Sequence, residues 1–239
     1  MNPILKRTLT GLAVGAVVIL AILFLPPVAF MPVTAVLAML AGMEFSALYD
    51  SKAKMAQAHD FALLVRFAGY LLGWAVISCL IVLGLVPKHY GDALCGPFRI
   101  GNVMLLYVIA IVKFSDVGGF AFGLTSAKLM KGGNHKLCPT ISPNKSWEGL
   151  FGSIFASCLV SCCFMGATGF GVAKSLACGV TAALVGTAGD LVESKFKRWV
   201  GVKDSSTMKI TNGMGGFLDM VDSLLFAPAV LLVLMGLDF

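Results

Sequence analysis

The residues of this sequence that can do chemistry are concentrated between Gly189 and Ser223. Asp190, Glu193, Asp204, Asp219 and Asp222 lie there with Lys195, Lys197, Arg198, Lys203 and Lys209. Carboxylates are hard oxygen donors suited to Mg²⁺, and lysine and arginine neutralise phosphate oxygens. On a helix Asp190, Ser194 and Lys197 share one face, and so do Asp219 and Asp222. Carboxylates from two helices stay ionised side by side only with cations between them. A divalent metal supplies that charge and also clamps a polyphosphate. Gly213-Met214-Gly215-Gly216 just ahead offers the exposed backbone that phosphate loops use. The plainer alternative is a solvated loop whose acids and bases pair. Surface pairing does not account for carboxylates at the mouths of apolar helices.

Two shorter constellations accompany this stretch. Ser115-Asp116-Val117-Gly118-Gly119 sets an acid inside an apolar run, beside glycines that let a backbone or a ligand approach closely. Asp116 needs a partner there, and Lys113 is the local structural candidate. In Ser142-Pro143-Asn144-Lys145-Ser146-Trp147-Glu148-Gly149, Pro143 imposes extended or turn geometry and Ser146 is placed to cap the following helix. A capped helix start offers free N–H groups to an anion, and Lys145 adds charge. The same block also reads as an interfacial anchor built on Trp147.

The elements that carry these residues follow from composition. The chain has 239 residues, 58% of them hydrophobic and 13% charged, with a mean hydropathy of +0.92. That excludes an ordinary soluble domain and predicts an all-α, polytopic helical membrane protein of about seven transmembrane helices, at roughly 20 residues per crossing. The expected spans are 8–25, 28–48, 61–86, 101–122, 149–168, 171–189 and 216 to the end. Residues 1–100 form an N-terminal set of helices, and 101–239 form a C-terminal catalytic set. The N-terminal run resembles a signal peptide, but it continues to Pro26-Pro27 without a small-residue cleavage site and reads as a retained span.

Basic residues set the orientation. With the N-terminus inside, the inner ends hold Lys6, Arg7, Lys52, Lys54, Lys128, Lys131, Lys136, Lys145 and the five of the central stretch. Only Lys88, Arg99 and Lys174 fall outside. All three constellations then share the cytoplasmic face. The net charge of +6 is explained by these loops and by anionic headgroups, not by nucleic acid. The seven cysteines show neither disulfide nor zinc spacing. No internal repeat is present.

At these residues the sequence resembles the phosphatidate cytidylyltransferase (CDP-diacylglycerol synthase) family over roughly residues 100–226. The matching positions are Gly189-Asp190-Leu191, Glu193, Ser194-Lys195-Phe196-Lys197-Arg198, Lys203-Asp204, Gly215-Gly216 and Asp219-x-x-Asp222-Ser223. Ser115-Asp116 and the Ser142–Gly149 block match upstream. Met214 stands where the family has a histidine and Met220 where it has an arginine. The loop from Asp204 to Gly215 is longer than the usual form.

The resemblance implies transfer of a cytidylyl group from CTP to phosphatidic acid at the cytoplasmic face of a bacterial-type inner membrane. It implies Mg²⁺ on Asp190, Asp219 and Asp222, with a second, monovalent cation as an option, and a catalytic role for Lys197. Asp116, Ser142, Lys145, Ser194, Arg198, Lys203, Asp204, Gly215 and Gly216 are the implied substrate-binding positions. Acyl chains are expected to enter sideways between helices. A homodimer is compatible with the sequence, which carries no interface signal to decide it. The alternatives are a CTP-dependent enzyme acting on a polyprenyl or archaeol-type lipid and a catalytically silent lipid-binding relative. A CDP-alcohol phosphotransferase is disfavoured because its aspartate pattern is absent.

Overall fold

In the computed structural model the described residues are 15–55, 60–90, 93–130, 133–201 and 217–236; the side chains of 51–65, 67, 217, 219 and 220 lie outside that description. Eight helices and two small hairpins are described. They are α1 (Gly15–Phe24), α2 (Pro27–Met55), α3 (Asp60–His89), β1 (Leu94–Cys95), β2 (Phe98–Arg99), α4 (Ile100–Leu129), β3 (Lys136–Cys138), β4 (Ser142–Ser146), α5 (Trp147–Cys163), α6 (Met165–Thr168), α7 (Val172–Val200) and α8 (Phe217–Met235). Four segments are long and apolar enough to cross a membrane: Pro27–Asp50, Ala68–His89, Ile100–Leu129 and Val172–Val200. Gly15–Phe24, Trp147–Cys163 and Val221–Met235 are shorter apolar helices at three further expected positions. The chain is a helical membrane protein.

Local chemistry sets most of the breaks. Pro26 lies between α1 and α2, and Pro27 opens α2, where a missing N–H costs nothing. Gly201, at φ 90°, ends α7, and its N–H reaches the Lys197 carbonyl at 3.0 Å. Asn102 donates to the carbonyls of Leu23 and Leu25, satisfying groups that the end of α1 leaves open.

Several boundaries differ from those read in the sequence. The second span ends at Asp50, close to the expected 48, but its helix, α2, continues through polar residues to Met55. Likewise α4 runs past Phe122 to Leu129. Hydropathy carries the fifth span to 168, but α5 ends at Cys163, and the short α6 and left-handed Gly169 make the turn into α7. Hydropathy also stops the sixth at 189, whereas α7 continues to Val200 and carries Asp190, Ser194, Lys197 and Arg198 on one helix. Hydropathy marks where apolar content stops, while helical hydrogen bonding, once started, continues cooperatively into polar sequence.

Packing brings α4, α5, α7 and α8 together, with α2 and α3 paired against the α7–α8 side. The α4–α5 contact is made by small residues. A Cβ on Gly118 would lie 2.5 Å from the Gly152 carbonyl oxygen, and one on Gly152 would lie 2.4 Å from the Phe122 Cβ. Polar threads cross the apolar interior: Tyr107 and Ser161 share a hydrogen bond of 2.8 Å, and the Ser157 hydroxyl donates to the Gly179 carbonyl at 2.8 Å. Such interhelical bonds contribute about 0.6 kcal/mol each in a bilayer.

Candidate active site

The site is assembled where α4, α7, α8 and the β4–α5 junction meet. β4 runs through Ser142, Pro143 and Lys145 in extended form, as Pro143 requires, and pairs antiparallel with β3. Ser146 ends the strand and caps α5, its hydroxyl accepting from the Gly149 N–H at 3.1 Å. A cap of this kind contributes about 1 kcal/mol. Glu148 reaches back to His135, accepting from its backbone N–H at 3.1 Å and lying 2.6 Å from Nδ1. The hairpin is thereby tied to the first turn of α5, which fixes the direction of Lys145.

Lys145 Nζ lies 2.5 Å from Asp190 Oδ2 on α7, with both side chains largely shielded. Asp190 Oδ1 is buried and has no hydrogen-bond partner among the described residues. On α4, Asp116 Oδ2 accepts from the Ser223 hydroxyl at 2.9 Å, and Lys113 Nζ donates to Ser223 Oγ at 2.8 Å. Lys113 Nζ is also 3.4 Å from Asp116 Oδ2. The backbone N–H of Ser223 donates to Asp222 Oδ1 at 2.6 Å. Hydrogen bonds thus tie Asp116 on α4 to Ser223 on α8, the neighbour of Asp222, while Lys145 is paired with Asp190 on α7.

A polar cavity of about 260 Å³ opens at this point, lined among others by Asp116, Ser142, Lys145, Ser146, Thr187 and Asp190. Four residues read from the sequence as working groups, Asp116, Ser142, Lys145 and Asp190, share this one cavity. Lys197 is not among its lining residues. Its Nζ is 2.6 Å from Glu193 Oε2 on the same helix, and Glu193 borders a separate, apolar cavity of about 490 Å³ between α2, α3, α7 and α8. Lys203, Asp204, Gly215 and Gly216 lie outside the described residues, as does the side chain of Asp219. Among the described residues, no three acidic, histidine or cysteine side chains form a group able to hold a metal ion.

Thr187 joins the site without having been singled out by the sequence, and Ser223, part of the matching Asp219-x-x-Asp222-Ser223 motif, joins it without having been given a role. Thr187 precedes Asp190 by one helical turn, so its position was open to a reading by face. No polar pattern singles out a lone hydroxyl in an apolar helix.

Comparison with known proteins fits this arrangement. Residues 70–237 match the Cytidylyltransferase family. The chain belongs to the cytidylyltransferase family. A phosphatidate cytidylyltransferase of Staphylococcus aureus (strain COL) is 43% identical over 133 residues, covering 55% of this chain and 48% of that protein. The phosphatidate cytidylyltransferases of Staphylococcus saprophyticus and Staphylococcus haemolyticus are each 41% identical over 133 residues, with the same coverage. The chain thus spans about half the length of these relatives. The family match takes in α4 to α8 and every element that lines the polar cavity, while α1 and α2 precede it.

Proposed function

We propose that the protein transfers the cytidylyl group of CTP to phosphatidic acid, releasing pyrophosphate and forming CDP-diacylglycerol at the cytoplasmic face of the membrane. The observation that carries this reading is the polar cavity in which Lys145, Asp116 and Asp190 meet, with one Asp190 oxygen buried and without a partner among the described residues. A carboxylate oxygen removed from water and left without a donor is costly, and a divalent cation meets that need. Asp190 and Asp222, with Asp219 on the first turn of α8, are the hard oxygen donors that would hold Mg²⁺. Its contribution when bound is charge neutralisation on the phosphates of the nucleotide.

The remaining roles belong to the side chains. A phosphate oxygen of the lipid forms the new bond to the α-phosphorus of CTP as the bond from that phosphorus to the α–β bridging oxygen breaks, and pyrophosphate leaves with that electron pair. Such a reaction needs alignment of two anions and compensation of developing charge more than it needs a protein nucleophile. Lys145 holds Asp190 in place and presents positive charge to the cavity. Lys113 keeps Asp116 oriented through Ser223. Ser142 and the capped start of α5 offer donors to a phosphate. The cavity lies below the usual range of about 300–1,000 Å³ for whole-ligand pockets. It therefore suits the phosphates, with the base and the acyl chains outside it. Arg198, Lys203 and the Gly215-Gly216 backbone supply further phosphate contacts, and Lys197 contributes through the charge of α7.

The test uses the full chain in detergent or vesicles with Mg²⁺, labelled CTP and phosphatidic acid. Asp190→Ala and Asp219→Ala are each expected to lower turnover by about a hundredfold or more, with membrane insertion unchanged and with weaker Mn²⁺ binding by electron paramagnetic resonance. Retained turnover in either variant overturns the assignment of the acids. Turnover only with a polyprenyl or archaeol-type acceptor, or lipid binding without turnover, overturns the choice of substrate or of activity.

A further inference from the structure

Glu44 is an acid within the apolar helix α2, only 2% exposed, and it belongs to none of the constellations of the polar cavity. A carboxylate inside a membrane helix is costly unless a specific partner holds it. Here the partner is a backbone group 174 residues away: the N–H of Leu218 donates to Glu44 Oε2 at 2.8 Å. Leu218 is the second residue of α8. The first amides of a helix have no carbonyl within their own helix to bond to. Glu44 meets one of them from a neighbouring helix, doing the work of an N-cap side chain across the packing interface. Its charge also lies at the positive end of the α8 dipole.

Position along α8 matters because Asp219 and Asp222, two of the acids proposed to hold the cation, come directly after Leu218. Asp219 is the next residue, Asp222 is one turn on, and Ser223 carries the hydrogen bond to Asp116. The same stretch of α2 also braces α7. Phe45 stacks on Phe196 with ring centroids 5.1 Å apart, and Tyr49 lies 5.8 Å from Trp199. A single segment of α2, outside the matched residues 70–237, therefore contacts both α7, which carries Asp190, and α8, which carries Asp219 and Asp222. Without the cap, the first turn of α8 is free to fray or slide along its axis, carrying Asp219 and Asp222 away from Asp190.

We propose that Glu44 is a positioning residue of the active site: its carboxylate caps α8 in trans and fixes the axial placement of Asp219 and Asp222 relative to Asp190. The inference rests on the reading of those aspartates as working groups, and its test separates the two. Glutamine at position 44 keeps an oxygen able to accept from the Leu218 N–H, whereas alanine removes it. In Glu44→Ala, amide hydrogen exchange in a peptide spanning 217–223 is expected to speed up about tenfold or more, while α4 and α5 exchange as in the wild type. CTP turnover is expected to fall about tenfold in kcat with KM for CTP unchanged, and Glu44→Gln to remain within about threefold of wild type on both readouts. If the alanine variant does not fold, Glu44→Asp, whose oxygens fall one methylene short, takes its place with the same expectations.

Unchanged exchange at 217–223 overturns the cap. Exchange that rises in every helix, with kcat and KM failing together, makes Glu44 merely structural and overturns the positioning role. A glutamine variant as impaired as alanine assigns the effect to charge and overturns capping. If wild-type protein shows no turnover with CTP and phosphatidic acid, the functional reading fails, while the exchange measurement still decides whether Glu44 holds α8.

Discussion

Lys145 and Asp190 are held 2.5 Å apart by elements that are distant in sequence, a strand end and the middle of a long helix. Both are mostly shielded, so losing one partner leaves the other with an uncompensated charge. Lys145→Met is expected to reduce turnover by about thirtyfold, corresponding to about 2 kcal/mol, with a smaller effect on thermal stability in detergent. Steady-state kinetics with labelled CTP checks it, and turnover within twofold of wild type would refute a working role for the pair. Residue type is enough to nominate both side chains, since a lysine before a capped helix and an aspartate at the end of an apolar run each imply an anion or a cation nearby. That they find each other is not legible, because the β3–β4 hairpin that aims Lys145 gives no hydropathy signal. The opposite holds for Lys197: sequence groups it with Asp190 and Ser194, while the helix turns it onto Glu193 at i−4, the nearest acid on its own surface.

Among the helices, the α4–α5 contact decides how far Asp116 stands from the β4–α5 junction. By residue type alone, Gly118 and Gly119 admit either a backbone or a ligand. At Gly118 the close neighbour is the backbone of α5, at Gly152. A methyl group there would meet the Gly152 carbonyl oxygen at 2.5 Å and the Ala156 Cβ at the same distance, so the helices must separate. Gly118→Ala is expected to cost about 1–3 kcal/mol of stability and to lower turnover as Asp116 shifts. Gly123→Ala is the control, because its added Cβ would have ordinary contacts beginning at 3.5 Å. Thermal unfolding in detergent of the two variants checks this, and equal midpoints would sink the packing argument.

Across the chain as a whole, α4 sets the relation between the two hairpins. β2 leads directly into α4, whereas β4 lines the cavity beside Asp116 and Gly119, and Asn134 donates to the Gly123 carbonyl. At 1.5 Å per residue the hairpins therefore lie roughly 25–35 Å apart along α4, about the thickness of the hydrocarbon core. Cys95 lies in β1 and Cys138 in β3, both only partly buried. If the basic residues face the cytoplasm, a membrane-impermeant maleimide is expected to label Cys95 in right-side-out vesicles carrying a single-cysteine variant. Cys138 is then labelled only after permeabilisation. The reverse pattern would move the polar cavity to the outer face and overturn the orientation read from the charges.

The helical membrane architecture and the identity of the acidic and basic groups were legible because both depend on local sequence. Apolar runs of bilayer length have few alternatives to a helix, and charges kept in such a chain need a cation, an anion or water. Helix ends were less legible, since α7 continues eleven residues past the expected limit of 189 and α5 stops five short of 168. Partnership was settled by packing alone. The Lys113–Ser223–Asp116 chain, the Lys145–Asp190 pair and the Glu44 cap on Leu218 join residues that are far apart in sequence, and no periodicity encodes such bonds. They exist because the packing of helices and the β3–β4 hairpin sets side chains from separate elements within hydrogen-bonding distance, a relation that depends on three-dimensional arrangement and not on neighbours along the chain.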